Sequence, residues 1–281
     1  MTAAATTFRN LHTGADLLVL PNAWDAGSAR LFESLGARAI ATTSAGVAWS
    51  HGHGDGDALP VAIHIAAVRE IVRVITVPLT VDIEGGYDHD PARVGENVRR
   101  FLDAGAVGIN LEDGSGSPEV FCRKIEAART AATTAGVALF INARTDVILK
   151  ALAPGREIAE VIARAALYAG VGCDGLFVPG LVDRDGIREI ASASPLPLNV
   201  MARPALPPAD ELRSLGVRRL SAGSAIAQAA LGVSQRLAEQ FLRGNSTALF
   251  AGAMPYGDIN ALMPADADQP ARFSNRNRHG Q

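Results

Sequence analysis

Asp82, Glu84 and Glu112 are the residues with which this chain could do chemistry. Asp82 and Glu84 close one short apolar, β-branched run, and Glu112 closes the next. Three carboxylates brought to one place repel one another, and a hard divalent cation answers that repulsion. Mg²⁺ takes one or two protein carboxylates directly and keeps several waters, and Mn²⁺ is its substitute. Asp82 has the shorter arm and is expected to be the direct ligand, with Glu84 and Glu112 holding metal-bound waters. Asp82 and Glu84 are two apart, so they share a face if the strand stays regular. A single acid at a strand end is more often a helix N-cap or a loop ion pair, and Asp25 and Asp113 suit that reading.

Arg144 closes the apolar run that follows the one ending at Glu112. Its planar fork suits a substrate carboxylate or phosphoryl group. A structural ion pair with Asp146 or Glu112 is the competing reading. After the second run come Thr43, Ser44, Ala45 and Gly46, small enough for backbone N–H groups to approach an anionic oxygen. Trp24 and Asn199 also end apolar runs and join Asp82 and Arg144 as candidate substrate contacts. The polar, glycine-rich segment SHGHGDGD (50–57) reads as a mobile loop near the site. Asp55 is its member expected to reach in, and metal binding by His51 and His53 is the weaker reading.

The elements that must position these residues alternate between strand and helix. Apolar runs occur at Leu17–Leu20, Ala37–Thr42, Val77–Ile83, Val107–Leu111, Val137–Asn142, Gly175–Val178, Leu196–Val200 and Arg218–Ser221. Their continuous apolarity fits parallel strands covered on both faces. Helical periodicity fills Ile63–Ile75, Pro91–Ala104, Pro118–Ala135, Glu157–Ala169 and Ser224–Leu242. Gly36, Gly105, Gly136, Gly170 and Gly216 stand where helix-ending glycines belong, and Asp90-Pro91 reads as an N-cap with a first-turn proline. Eight such units predict a (β/α)₈ TIM barrel, whose active site lies at the C-terminal ends of its strands. All the candidate residues fall at or just beyond those ends. A doubly wound sheet is the alternative, but no GxGxxG follows the first strand.

A barrel of this kind needs about 250 residues and counts as one domain. The 281 residues therefore divide into a single barrel domain over 1–263 and a polar, poorly ordered tail over 264–281. A net charge of −3 gives no reason to expect nucleic acid as a partner. The arginines from Arg213 to Arg219 read as a solvated helix end. Cys122 and Cys173 form no metal or disulfide pattern, which points to a reducing cytoplasm. The N-terminal residues lack signal-peptide character, and no run approaches a membrane span.

Five stretches resemble the isocitrate lyase/phosphoenolpyruvate mutase superfamily: PNAWDAGSARLFESLGARAIATTSAGVAWSHGHGDGD, VPLTVDIEGGY, AGAVGINLED, INARTD and RRLSAGSAIAQAAL. They stand in the family's order and cover most of Pro21 to Met263. The resemblance implies a Mg²⁺-dependent barrel that acts on small 2-oxo or 2-hydroxy carboxylates or their phosphono analogues. It implies the amides of Ser44, Ala45 and Gly46 and the Arg144 clamp for the substrate. It implies Asp82, Glu84 and Glu112 for the metal shell, with Asp55 beside it. Asp55, Glu112 and Arg144 are then the catalytic set. It also implies exchange of the last helix between subunits, in a homotetramer or homodimer, with Ser224–Leu242 and the segment 251–257 as candidates.

The departures concern the reaction itself. Family lyases carry a Lys-Lys/Arg-Cys-Gly-His loop after the fourth strand. Here Glu112-Asp113 runs into GSGSPEVFCRKIEAAR, and Cys122 falls inside a helix. The gating loop of the mutases and phosphonopyruvate hydrolases is also missing, and Pro179 stands where the mutases have a histidine. The expected function is C–C cleavage, by retro-aldol or Claisen chemistry or by decarboxylation, through a metal-stabilised enolate. P–C chemistry on phosphoenolpyruvate or phosphonopyruvate is the first alternative. A barrel that binds keto acids with little or no catalysis is the second.

Overall fold

The computed structural model describes residues 3–263. The strands are β1 (Leu18–Leu20), β2 (Asn22–Ala23), β3 (Ile40–Thr42), β4 (Leu79–Asp82), β5 (Gly108–Glu112), β6 (Phe140–Arg144), β7 (Gly175–Phe177), β8 (Leu198–Met201) and β9 (Arg219–Ser221). All pair in parallel, in the order β1-β9-β8-β7-β6-β5-β4-β3-β2. β1 and β2 are two halves of one strand, parted by Pro21, which has no N–H to give to a ladder. Rejoining them closes the sheet into a (β/α)₈ barrel.

The helices are α1 (Ala3–Asn10), α2 (Ala26–Ser34), α3 (Ser44–Ser50), α4 (Val61–Val74), α5 (Pro91–Asp103), α6 (Pro118–Ala135), α7 (Glu157–Gly170), α8 (Arg184–Ala193), α9 (Ala209–Ser214), α10 (Ala225–Leu242) and α11 (Tyr256–Leu262). Asp25 caps α2 in a reciprocal capping box with Ser28, and Asp90 caps α5 ahead of Pro91. Gly36, Gly105, Gly136 and Gly216 take positive φ, but Gly170 does not: α7 runs through it, and Gly172 makes the turn at φ 97°.

Alternation along the strands separates two cores. Outward residues such as Val81, Ile109, Leu111, Ile141, Leu176 and Val200 pack beneath the helices. Inward residues fill the bore. At its lower end Leu18, Leu20, Ala41 and Phe140 meet Phe8 of α1, a helix with no counterpart among the sequence expectations. Phe8 and His12 both face Phe140, with centroids 5.6 and 4.0 Å apart. Gly108 must be glycine here, because a Cβ would lie 2.6 Å from Phe8 Cε1. Burying Phe8 in this plug is worth about 2–3 kcal/mol.

Three expectations need correction. Most strands begin one to three residues later than the apolar runs, because the first apolar residues of a run pack before the ladder starts. Arg219 is not part of a solvated helix end. It is 1% exposed and points into the bore. β4 ends at Asp82, so strand regularity does not carry Asp82 and Glu84 onto one face. The tail over 264–281 lies outside the described residues. Among the described residues, no helix is long and apolar enough to cross a membrane.

α10 and α11 stand apart from this packing. Ala227 is the only buried residue that α10 contributes, and Leu242 is 84% exposed. Val19 on β1 and Leu35 after α2 are also exposed, at 54% and 76%. They border an apolar groove of about 500 Å³ beside β1 and β9.

Candidate active site

The ends of β3, β4, β5 and β6 meet at one mouth. β3 runs into Thr43, which caps α3 through its side chain. Ser44 and Ala45 are thus first-turn residues, whose N–H groups have no acceptor within the helix. Gly46 is required at the third position, since a Cβ there would lie 2.7 Å from Thr43 Cγ2 and 2.9 Å from Trp24 Cβ. Ser44 Oγ bridges two acids, 3.3 Å from Asp55 Oδ1 and 3.3 Å from Asp82 Oδ2. The 50–57 segment therefore brings Asp55 into the site. His51 bonds the Val47 carbonyl at 2.9 Å and serves the end of α3.

Glu84 reaches the cluster by a different route. Its φ of 52° turns the chain sharply after β4, a conformation with a steric cost for any residue but glycine. Its carboxylate accepts the Asp57 N–H and, at 3.4 Å, the Tyr87 hydroxyl. Tyr87 is bonded in turn to Nδ1 of the buried His64 at 2.7 Å. Glu84 thus ties the 50–57 segment to the β4–α5 turn.

Glu112 and Arg144 are register partners on β5 and β6. Arg144 Nη1 lies 2.7 Å from Glu112 Oε2. Its Nε and Nη2 fork onto Asp146 at 2.7 and 3.2 Å. Lys150 also reaches Asp146, at 3.0 Å. The ion-pair reading of Arg144 therefore holds, and a substrate carboxylate would share the guanidinium with Asp146 and Glu112.

The cluster is short of positive charge. Burial pushes Glu112 up to about 8, against the pull of Arg144 and with the help of Asp82. Burial pushes Glu84 up to about 7, with Asp57, Asp55 and Asp82 adding to it. Asp82 is raised as well, first by burial and then by Asp55, with Arg144 opposing. The charges of Asp55 and Asp82 thus add to the raised proton affinity of Glu84, and that of Asp82 to Glu112. Among the described residues no three His, Cys, Asp or Glu side chains form a ready-made metal cage. A cation that takes one carboxylate directly and others through water suits this donor set better than one needing four protein ligands. The acids fit Mg²⁺ on that ground.

A cleft of about 590 Å³ opens beside Glu112, lined by Tyr87, His89, Ser115, Lys124 and Lys150 among others. Lys124 is half-buried and donates to the Gly85 carbonyl at 2.6 Å. Burial lowers its pKa, while Asp57 is its strongest acidic neighbour. Tyr87, Asp57 and Lys124 were not among the sequence candidates. The GGY after Glu84 was a local signal for Tyr87, but nothing local marks a lysine in the second turn of α6.

Two expected contacts lie elsewhere. Asn199 does not reach the mouth: it is buried in the bore and donates to Val200 O, Arg219 O and Ser221 Oγ. Position in the strand decides this, because two further residues follow it in β8. Trp24 packs behind α3, its ring 6.2 Å from Phe32 in an edge-on contact. Asp113 is a structural acid. It accepts Arg164 at 2.8 Å, Tyr168 at 2.7 Å and the Asp146 N–H at 3.0 Å. Cys122 is buried on α6.

Comparison with known proteins bears on this arrangement. The sequence profile described as phosphoenolpyruvate phosphomutase matches residues 8–242. An uncharacterised protein of Mycobacterium tuberculosis is 33% identical over 92% of this chain and 96% of its own length. An oxaloacetate decarboxylase of Bradyrhizobium sp. is 27% identical over 94% of each chain. A crystal structure described as a candidate phosphonomutase from Burkholderia cenocepacia superposes with a TM-score of 0.81 at 42% identity, over 85% of this chain and all of the other. The same fold, at 22% identity and a TM-score of 0.82 over 93% and 95% of the two chains, occurs in a phosphonopyruvate hydrolase complexed with oxalate and Mg²⁺.

Proposed function

Because the chain belongs to the phosphoenolpyruvate phosphomutase family, we propose that it is a Mg²⁺-dependent lyase that breaks a C–C bond beside the carbonyl of a small 2-oxo or 2-hydroxy carboxylate, with decarboxylation of an oxaloacetate-like acid as the leading case. The observation that carries this reading is the under-compensated cluster of Asp55, Asp82, Glu84 and Glu112, of which Asp82 and Glu112 face Arg144. Mg²⁺, or Mn²⁺ in its place, supplies Lewis-acid stabilisation of the negative charge that develops on the 2-oxo oxygen. Asp82, Glu84 and Glu112 would hold it, Asp82 as the direct ligand and the two glutamates through water. Arg144 would bind the substrate carboxylate, and the Ser44 and Ala45 amides at the start of α3 would give hydrogen bonds to an anionic oxygen.

The turn after β5 favours decarboxylation. Only Asp113–Ser117 separate β5 from α6. Five residues leave no room for a loop that could carry an acid over the site. Decarboxylation asks least of such a group, since water can protonate the product. The relative named oxaloacetate decarboxylase is consistent with this choice.

Incubation with oxaloacetate, isocitrate and 2-methylisocitrate, each with and without Mg²⁺, tests the reading. Mg²⁺-dependent release of pyruvate and carbon dioxide from oxaloacetate is the expected result. Absence of turnover with any C3–C7 oxo or hydroxy acid sinks it. In that event phosphorus NMR of phosphonopyruvate and phosphoenolpyruvate mixtures separates P–C chemistry from mere keto-acid binding.

We further propose that the protein works as a homodimer or homotetramer in the cytoplasm. α10 buries almost nothing of its own chain, and the groove beside β1 and β9 is apolar. Exchange of this helix between subunits would cover both. Light scattering after gel filtration checks it, and a monomer at micromolar concentration refutes it.

A further inference from the structure

One layer below the mouth lies a charge that the proposed chemistry leaves unused. Arg219 opens β9, in register with Leu18 of β1 and Asn199 of β8. Its side chain crosses the bore. Nη2 donates to Asn110 Oδ1 at 3.2 Å, and Asn110 stands on β5, across β8, β7 and β6 in the sheet. Nε and Nη1 have no acceptor among the described residues. Burial pushes the guanidinium down to about 9, with Asp82 pulling the other way, so it stays cationic at neutral pH.

Such a residue is expensive. A buried charge is costly unless paired, and an apolar side chain of like volume would fill the bore at less cost. The neighbours are polar but neutral. Asn142 donates to Asn110 Oδ1 at 2.9 Å and to Asn199 Oδ1 at 3.0 Å. Thr80 Oγ1 is without a partner. The acids that can answer Arg219 lie above it. Asn110 is the register partner of Asp82 and precedes Glu112 by two residues on the same face.

Charge balance then gives Arg219 a purpose. At the mouth, Glu112 and Asp82 face Arg144, with Asp55 and Glu84 beside Asp82, while Asp57 faces Lys124 and Asp146 is shared with Lys150. With all four acids ionised, as a bound cation would require, and Arg219 beneath them, the excess is two negative charges, which one divalent cation neutralises. Without it, the metal-loaded site stays negative and repels an anionic substrate.

We propose that Arg219 is a positioning residue, a fixed cation in the barrel floor that sets the charge of the carboxylate cluster so that the metal-loaded site accepts an anion. This rests on the reading of the cluster as a Mg²⁺ and keto-acid site. It has a signature that a purely structural arginine lacks, because the two ligands carry opposite charge. Removing the cation strengthens the hold on Mg²⁺ and weakens the hold on the anion.

Isothermal titration calorimetry with MgCl₂, and then with oxalate at saturating Mg²⁺, reads both effects. R219M removes the charge at similar volume. N110D keeps the arginine and neutralises it in place, so it decides the matter if R219M does not fold. R219K keeps the charge. R219M and N110D are expected to bind Mg²⁺ a few-fold tighter and oxalate on the order of tenfold more weakly, with R219K closer to wild type. Equal weakening of both ligands, or no change in either, overturns the proposal while leaving the Mg²⁺ reading intact. Wild-type protein that binds no Mg²⁺ refutes that reading, and the role of Arg219 with it.

Discussion

Two sets of buried acids in this barrel are treated in opposite ways. Asp113 is saturated by Arg164, Tyr168 and a backbone N–H. Glu33, at the end of α2, is likewise held by Arg30, by the Thr76 hydroxyl and by the Thr76 and Val77 amides. Asp82, Glu84 and Glu112 share Arg144, a serine, a tyrosine and one another, and burial raises all three. An acid whose needs the protein meets is part of the frame. An acid left under-compensated is waiting for something the protein does not supply. The same distinction separates Arg164, fully engaged with Asp113 and Glu160, from Arg219, which spans the bore with two idle nitrogens.

Substitutions in each set should break the comparison in different ways. Asp82→Asn is expected to cost on the order of 10³-fold or more in Mg²⁺-dependent turnover while leaving thermal stability unchanged or higher. Steady-state kinetics beside a melting curve check this, and a large loss of stability would place Asp82 with the frame. Asp113→Asn should do the reverse. It strands Arg164 and Tyr168 and should cost about 3–5 kcal/mol in urea unfolding, because one partner of a buried pair is lost.

The pH dependence of stability sharpens the contrast. A carboxyl raised by folding binds a proton in the native state that the unfolded chain has already released. Its contribution is whole below the ordinary value of 4.5 and is lost as pH rises through the folded value. For Glu84 and Glu112 that window runs from 4.5 to about 7 and about 8. Metal-free protein should therefore melt at falling temperature across this range, by on the order of 10 °C, and added Mg²⁺ should flatten the curve. A melting temperature that rises with pH would contradict the direction of both shifts. The smallest effect belongs to Tyr87→Phe, which removes the hydroxyl between His64 and Glu84. It should cost about 1 kcal/mol of stability and only a few-fold in Mg²⁺ affinity by calorimetry.

Much of the frame was legible in the chain itself. The C-terminal residues of the apolar runs gave Asp82, Glu112 and Arg144, because in parallel strands a strand end is also a place in the barrel. The short turn after Glu112 was equally plain, since it is a matter of counting residues to Pro118. Less legible were the residues that reach the site from other elements. Lys124 comes from the second turn of α6, and Asp57 comes through a backbone contact with Glu84. Neither stands at a strand end.

The sequence by itself determined the barrel, since hydrophobic period and helix-ending signals act locally and repeat. It also determined which acids end which strands. Tertiary structure alone decided which acids are satisfied. The charge around Asp113 comes from α7, far along the chain, and that around Asp82 from β6 and the 50–57 segment. It alone decided that Asn199 lies below the mouth and that Arg219 crosses the bore to Asn110. A strand's pattern says that a side chain faces inward, but depth in a closed barrel depends on the stagger of all the strands together.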